Sequence, residues 1–148
     1  MMLPTKKCVH LLNFHLIFVV KYRKQLLIRY GEKVKELLLE SADQSKKFDI
    51  DKIEVDKDHV QMIIRMNPTE TISNVVKRLK SYSTYHLWQY DDENLRNQFW
   101  KEKMFWSKSY FVRSVGVVDY DTVEKYIEEQ GKIKIPNSRK NSSIMLKH

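Results

Sequence analysis

The segment IDKIEVDKDHVQMIIRM, residues 50–66, predicts the hairpin on which the fold is built. Apolar and polar residues alternate over 50–56 and again over 59–66, as they do in strands that bury one face. The charged residues 56–58 separate the two alternating runs and are typical of a turn. The segment is therefore expected to form two antiparallel strands that belong to a larger sheet.

The second strand of this hairpin divides its side chains between two faces. The apolar set is predicted to pack beneath helices and consists of Val60, Met62, Ile64 and Met66. The other face carries His59 and Gln61 side by side, with Cβ atoms roughly 6–7 Å apart. Both side chains could reach one cation, whereas the alternative is the polar, solvent-facing side of a half-covered sheet.

The segments around the hairpin predict further strands and helices. Apolar periodicity indicates, in chain order, a strand at 10–20, a helix at 30–47, a helix at 70–90, two short strands within 99–118 joined near Ser107 and Lys108, and a last helix after Asp121. Hairpins mixed with helices favour an α+β sandwich, in which an antiparallel sheet carries helices on one face. Ferredoxin-like topology is the expected arrangement. We assign residues 1–131 to this domain and residues 132–148 to a basic, flexible C-terminal tail.

Charge is concentrated at the two ends of the chain. Lys and Arg number 27 against 19 Asp and Glu, which gives a net charge of +8 over 148 residues. Residues 1–30 contain six basic side chains, residues 131–148 contain five, and neither segment contains an acidic one. Basic ends around a near-neutral body indicate a polyanionic partner such as nucleic acid, although solubilising tails are the alternative.

Composition excludes several other classes of protein. Three widely separated glycines do not fit a glycine-rich dinucleotide or phosphate-binding loop. The single cysteine, Cys8, excludes a disulfide scaffold and a cysteine-based zinc site, and it suits a reducing cytoplasm. The apolar run at 11–20 is half the length of a membrane-spanning helix, which needs about 20 residues.

The helix predicted at 70–90 has basic and hydroxyl side chains suited to phosphate contacts. Together with the basic turn that follows the first strand, it gives the predicted DNA-binding residues, which are Lys21, Arg23, Lys77, Arg78, Lys80 and Ser81. Aromatic residues interleaved with them could stack on unpaired bases, so single-stranded nucleic acid is favoured over a duplex. The alternative is an ordinary amphipathic helix whose aromatic residues belong to the core.

Tyr126 and Gln130 are four residues apart in the last predicted helix and therefore share one face of it. A tyrosine hydroxyl has an unperturbed pKa of about 10 and is a weak nucleophile at neutral pH unless a cation or base activates it. The alternative is a core tyrosine with its hydroxyl at the surface.

Five segments in register resemble the single-tyrosine HUH transposases of the insertion-sequence 200/605 group. They are FHLIFVVKYRK (14–24), DHVQMII (58–64), SNVVKRLKSYSTYHLW (73–88), FWSKSYFVRSVG (105–116) and VEKYIEEQG (123–131). The resemblance implies a metal-dependent strand transferase that acts on single-stranded DNA at hairpin-bearing element ends. It further implies a homodimer in which the tyrosine helix acts in cis or in trans, with no membrane association.

The resemblance also assigns roles to residues of this chain. Tyr126 matches the nucleophile that forms a 5′-phosphotyrosine, and His59, Gln61 and Gln130 match the metal ligands. Gln61 stands where the group usually has a second histidine, and an amide oxygen favours Mg²⁺ or Mn²⁺ over Zn²⁺. Two alternatives stay open: a non-catalytic hairpin-binding protein derived from a transposase, and a related tyrosine transposase that acts on repeat palindromes.

Overall fold

The computed structural model describes residues 11–115 and 144–147. Its elements are, in order, β1 (Leu12–Val20), a 3₁₀ turn (Lys21–Arg23), α1 (Leu27–Ser45), β2 (Phe48–Val55), β3 (His59–Met66), α2 (Ile72–Gln98), β4 (Trp106–Val115) and β5 (Ile144–Lys147). The described helices include none that is long and apolar enough to cross a membrane.

The strands form one antiparallel sheet in the order β2-β3-β1-β4-β5. Strand β3 lies between β1 and β2, and strand β1 lies between β3 and β4. Helix α1 therefore connects β1 to β2 across β3, and helix α2 connects β3 to β4 across β1. The first four strands thus have the order of a ferredoxin-like sheet, and the predicted α+β class is confirmed. The His59 and Gln61 pair therefore lies on an internal strand of the sheet, with His59 at the start of β3.

Both helices pack on the face of the sheet defined by alternate residues of β1 and β3. The residues predicted to lie beneath the helices are buried in this core, together with Leu16, Phe18 and Val20 of β1. Helix α1 contributes Val34 and Leu38 to this core, and α2 contributes Val76 and Leu79. The strand period of two therefore assigned the faces of β3 correctly, because one side of the sheet is fully covered by helices.

The hairpin predicted within 99–118 is wrong. Residues 99–105 form no strand, and β4 is one continuous strand through Ser107 and Lys108, the predicted turn. Phe99 and Phe105 are buried by aromatic packing, whereas Trp100 is 74% exposed: Phe99 contacts Phe105, and Phe105 stacks edge-on against Trp106 of β4 with ring centroids 4.9 Å apart. In a sequence, a run of large apolar residues has the pattern of a strand whether its backbone pairs within a sheet or only its side chains pack in the core.

Helix α2 is longer than predicted and bends near its end. Thr71 caps it by accepting a hydrogen bond from the Asn74 amide, and the helix continues to Gln98, beyond the predicted end at residue 90. Asp91 has non-helical backbone angles, and its carboxylate accepts a hydrogen bond of 2.8 Å from the Tyr30 hydroxyl. This contact joins the bend in α2 to the first turn of α1.

Two predictions concern residues beyond β4. The last predicted helix, with Tyr126 and Gln130, and the domain boundary at residue 131 lie outside the described residues. Within the segment predicted to be a flexible tail, residues 144–147 form β5, which pairs with residues 109–112 of β4. The tail prediction is therefore corrected for those four residues.

Candidate active site

His59 and Gln61 lie on the face of the sheet opposite the helices, as predicted. They pair across the β1–β3 ladder with Val19 and Ile17, so both belong to the centre of the sheet. The two residues are only 2% and 3% exposed, respectively. The alternative of a solvent-facing polar surface is wrong, because neither residue is exposed to solvent. Polar groups buried to this extent require a partner or a function.

Asp58 is the hydrogen-bond partner of the His59 ring. Nδ1 of His59 lies 2.9 Å from Oδ1 of Asp58, and since a carboxylate only accepts, the ring N–H donates. Oδ2 of the same carboxylate accepts a hydrogen bond of 3.4 Å from Nε of Arg23. When the ring is neutral its lone pair is on Nε2, which is buried and has no hydrogen-bond partner. This is the arrangement of a metal-ligating histidine supported by a carboxylate.

The His59 and Gln61 pair suits a hard divalent cation. Within residues 11–115 and 144–147, no cluster of three His, Cys, Asp or Glu side chains could hold a metal. A site here therefore depends on the amide oxygen of Gln61 and on a residue from elsewhere, for which the sequence offers Gln130. One imidazole nitrogen with amide oxygens fits Mg²⁺ or Mn²⁺. The unpartnered Nε2 of His59 is the observation in favour of this fit.

His15 is a site residue that the sequence reasoning missed. It is 3% exposed on the same face as Gln61, and its Nε2 lies 3.1 Å from Oε1 of Gln61. Burial lowers the pKa of His15 to about 4, with a smaller contribution from Arg113 and an opposing one from the Gln61 hydrogen bond. The ring is neutral at pH 7, and in its Nε2–H tautomer it donates to this amide oxygen. A single histidine inside an apolar strand was the available signal.

Acidification should destabilise the metal-free chain through His15. Its pKa in the folded state, about 4, lies below the ordinary value of 6.5, so the unfolded chain takes up the proton first. The stability contributed by the neutral ring is complete above pH 6.5 and is lost progressively as the pH falls to 4. Urea unfolding midpoints should be measured at pH 7, 5.5 and 4.5 in the presence of a chelator. The midpoint should fall less steeply with decreasing pH for His15→Phe than for the wild type. Equal slopes in both chains would contradict this assignment.

The basic turn after β1 adopts a strained backbone. Tyr22 and Arg23 both have positive φ angles, 60° and 53°, which residues with side chains seldom adopt. The turn is held by the Lys21 amide, which donates to the Phe105 carbonyl, and by the Arg23 contact with Asp58. The Tyr22 side chain is left 72% exposed. The turn therefore presents an aromatic ring and basic groups beside the carboxylate that orients His59.

The predicted DNA-binding residues of α2 fall into two groups. Lys77 and Ser81 are exposed, as phosphate contacts require. Arg78 donates from Nε to the Ser41 carbonyl of α1, and Lys80 donates from Nζ to the carbonyls of Ser107 and Ser109. Arg78 and Lys80 thus fasten α2 to its neighbours, which is a structural role that helix periodicity alone does not reveal.

Lys80 also borders a large open cleft. Burial, reinforced by nearby Lys21, lowers the pKa of Lys80 to about 8. The cleft has a volume of about 890 Å³ and lies between α2 and the segment that leads into β4. Its lining combines cationic, hydroxyl and aromatic groups, which include Lys80, Ser81, Thr84, Tyr85, Trp88 and Lys108. This chemistry suits a nucleic-acid strand.

The structure thus separates the predicted site residues between two layers. His59 and Gln61 lie on one face of the sheet, and the α2 residues lie in the helical layer on the other. The basic turn connects them, since Arg23 contacts Asp58 on one side and Lys21 lies near Lys80 on the other. Tyr126 and Gln130 lie outside the described residues.

Comparison with solved structures identifies the class of protein. The crystal structure of a transposase from Deinococcus radiodurans R1 matches with a TM-score of 0.67 and 27% identity, covering 88% of this chain and 98% of that one. The structure of a REP-associated tyrosine transposase bound to a REP hairpin shares the fold, with a TM-score of 0.58 and 15% identity over 78% of this chain and 63% of that one. The fold is that of a transposase.

Sequence comparison gives the family. The model of the family described as "Transposase IS200 like" matches residues 8–130, and the chain belongs to that family. It is 31% identical to the ISDra2 transposase TnpA of Deinococcus radiodurans over 82% of this chain and 86% of that protein. It is 28% identical to the transposase for insertion sequence element IS200 of Salmonella typhimurium, over 80% and 76% of the two chains. The resemblance seen in the sequence is confirmed.

Proposed function

We propose that this transposase cuts and rejoins single-stranded DNA at hairpin-bearing element ends through a 5′-phosphotyrosine intermediate. The observation that carries the proposal is the buried Nε2 of His59, which has no hydrogen-bond partner, beside Gln61 in the centre of the sheet. A nitrogen left without a partner at this depth is costly unless a ligand occupies it. His59 and Gln61 would hold a divalent cation there, and such a cation would supply polarisation of a phosphodiester when bound.

The proposed chemistry assigns one task to each residue. The Tyr126 oxygen attacks the scissile phosphorus and forms a phosphotyrosine bond, while the bond to the 3′ oxygen breaks and leaves a free 3′-hydroxyl. The phosphodiester character is retained in the covalent link, so that rejoining needs no nucleotide cofactor. His59, Gln61 and Gln130 would hold Mg²⁺ or Mn²⁺, and Asp58 would keep the His59 ring in its ligating tautomer.

DNA would reach this site across the basic turn. Lys77 and Ser81 are exposed on α2, and Ser81 also lines the cleft beside Lys80. The turn carrying Lys21 and Arg23 adds basic groups between this helical layer and the sheet face. A hairpin partner is further supported by the REP hairpin named in the solved structure with the same fold. We propose a homodimer, in which Tyr126 completes the site of either protomer.

A gel for covalent adducts tests the proposal. Wild-type protein incubated with Mn²⁺ and a labelled single-stranded oligonucleotide carrying a hairpin should form a species that resists denaturation, and a chelator should prevent it. The oligonucleotides are taken from the DNA that flanks the reading frame. Hairpin binding without any adduct would instead support a non-catalytic binding protein derived from a transposase.

Neutralising Lys77 should weaken binding of single-stranded DNA without loosening the fold. Lys77→Gln removes one exposed charge, so the slope of log affinity against log salt should fall by roughly 0.7. Lys80→Gln should in addition lower the unfolding midpoint, because its ammonium holds two β4 carbonyls. The matched control is Lys33→Gln on α1, whose charge is paired with Glu36. An unchanged slope for Lys77→Gln would remove this helix face from the interface.

A further inference from the structure

Trp100 is a large aromatic residue that the fold leaves in solvent. It is 74% exposed, whereas Trp88 and Trp106 are 3% and 6% exposed. Its neighbours in the same segment, Phe99 and Phe105, are buried in the core. A single exposed apolar residue is common on protein surfaces, so the surroundings of Trp100 decide what it indicates.

The surroundings of Trp100 are basic. The ammonium of Lys101 lies 5.3 Å from the centroid of the Trp100 ring. Lys103 is also exposed, and its Nζ lies 3.7 Å from a carboxylate oxygen of Asp92. The segment 99–105 contains these two lysines and one acidic residue. A flat apolar ring beside a cation matches a nucleotide, which carries a flat base and an anionic phosphate.

Both ends of the segment that carries the exposed tryptophan are fixed against the basic turn that follows β1. At one end, Nζ of Lys24 donates a hydrogen bond of 3.1 Å to Oε1 of Gln98 and lies 5.8 Å from the centroid of the Phe99 ring. At the other end, the Lys21 amide donates to the Phe105 carbonyl at 2.8 Å. The turn, with its cationic side chains, therefore borders this segment.

We propose that Trp100 binds single-stranded DNA by stacking on an unpaired base, while Lys101 and the basic turn contact the adjoining phosphates. Stacking requires a base whose face is free, and in a duplex both faces of a base are covered by its neighbours. The occupant is DNA and not an apolar protein segment, because the ring is bordered by cations that complement phosphates. The inference rests on the proposed function only in taking single-stranded DNA as the partner.

The contacts of the turn indicate which part of the DNA reaches Trp100. Nε of Arg23 donates to Oδ2 of Asp58 at 3.4 Å, and Asp58 also contacts the His59 ring. The turn thus contacts both the segment of Trp100 and the candidate active site. A strand that is cut beside His59 is unpaired there, so the base on Trp100 belongs to the unpaired flank of the hairpin and not to its stem.

Tryptophan fluorescence tests the inference, because a stacked base quenches the emission of an indole ring. The DNA probe is a hairpin oligonucleotide with an unpaired flank, titrated in the presence of a chelator so that no strand is cut. This probe should quench the wild-type emission, whereas the same hairpin without a flank should not. Trp100→Phe should remove the quenching. Unchanged quenching in that variant would come from Trp88 or Trp106 and would overturn the inference.

The affinity for the same oligonucleotide measures the energetic effect. Trp100→Ala should raise the dissociation constant about 5- to 150-fold, which is the range for loss of one base–aromatic stack. Trp100→Phe keeps a ring and should stay within a few-fold of wild type. The matched control is Tyr90→Ala, since Tyr90 is 61% exposed and its ring centroid lies 4.8 Å from the Lys33 ammonium. The control should bind as wild type does, and an equal loss of affinity in it would overturn the inference.

An abasic nucleotide placed in the flank shows whether the ring and a base act on each other. At the stacked position it should weaken wild-type binding as much as Trp100→Ala does, and it should cause no further loss in that variant. Equal losses in both proteins at every position of the flank would overturn the inference. Shielding of Trp100 that increases with protein concentration and not with DNA would show an interface between copies of the chain, and would overturn it as well.

Failure of this inference is distinguishable from failure of the proposed function. Quenching by the unpaired flank, with no covalent adduct after Mn²⁺ is added, would overturn the proposed chemistry and leave the stacking site standing. Adduct formation without quenching of Trp100 would overturn the stacking site and leave the proposed chemistry standing.

Discussion

Tyr126→Phe should abolish the covalent adduct with DNA while leaving hairpin binding unchanged. The substitution removes one oxygen, which is the atom proposed to bond to phosphorus, and keeps the ring. No intermediate can then form whatever the metal or DNA concentration, so the loss should be complete within the sensitivity of the gel. Binding should persist because the basic turn and the exposed residues of α2 are untouched.

The measurement pairs a denaturing adduct gel with a native gel shift on the same labelled oligonucleotide. Tyr90→Phe is a suitable control, because the Tyr90 side chain is 61% exposed and lies against Lys33 in the helical layer. The control should form adduct at the wild-type rate. Adduct formation by Tyr126→Phe would point to a different nucleophile, and loss of the gel shift would show that this residue holds DNA and is not limited to the chemistry.

The strand period predicted the position of the candidate site but not its depth. Alternation along residues 59–66 correctly placed His59 and Gln61 on the face away from the helices. It could not show that this face is buried. A period of two predicts on which face of the sheet a side chain lies, but it does not predict what covers that face. The alternative of a solvent-facing polar surface is wrong for this reason.

Contacts between distant segments account for most of what the sequence did not reveal. His15 and Gln61 are 46 residues apart and meet only because β1 pairs with β3 in one particular register. Lys80 was placed among DNA contacts by helical spacing, but its ammonium reaches carbonyls of a strand that begins 26 residues later. Partners of this kind follow from the fold and cannot be read from one segment.

Asp58→Asn should weaken Mn²⁺ binding 10–100-fold, which is the usual effect of losing a partner that orients a metal-ligating histidine. The carboxylate of Asp58 accepts from Nδ1 of His59 and thereby keeps the Nε2 lone pair free. An asparagine can instead donate its NH₂ group to Nδ1. The ring proton would then move to Nε2, where it blocks a cation.

The same substitution removes the negative charge that pairs with Arg23, so the ion pair between the basic turn and residue 58 should also be lost. Free Mn²⁺ is followed by electron paramagnetic resonance during titration of the protein. The matched control is Asp56→Asn in the same turn, whose side chain accepts from the Lys57 amide and does not contact the His59 ring. Wild-type affinity in Asp58→Asn would mean that the His59 tautomer is set without the carboxylate. A loss of similar size in Asp56→Asn would trace the effect to the turn as a whole, since both substitutions exchange a carboxylate for an amide of the same shape.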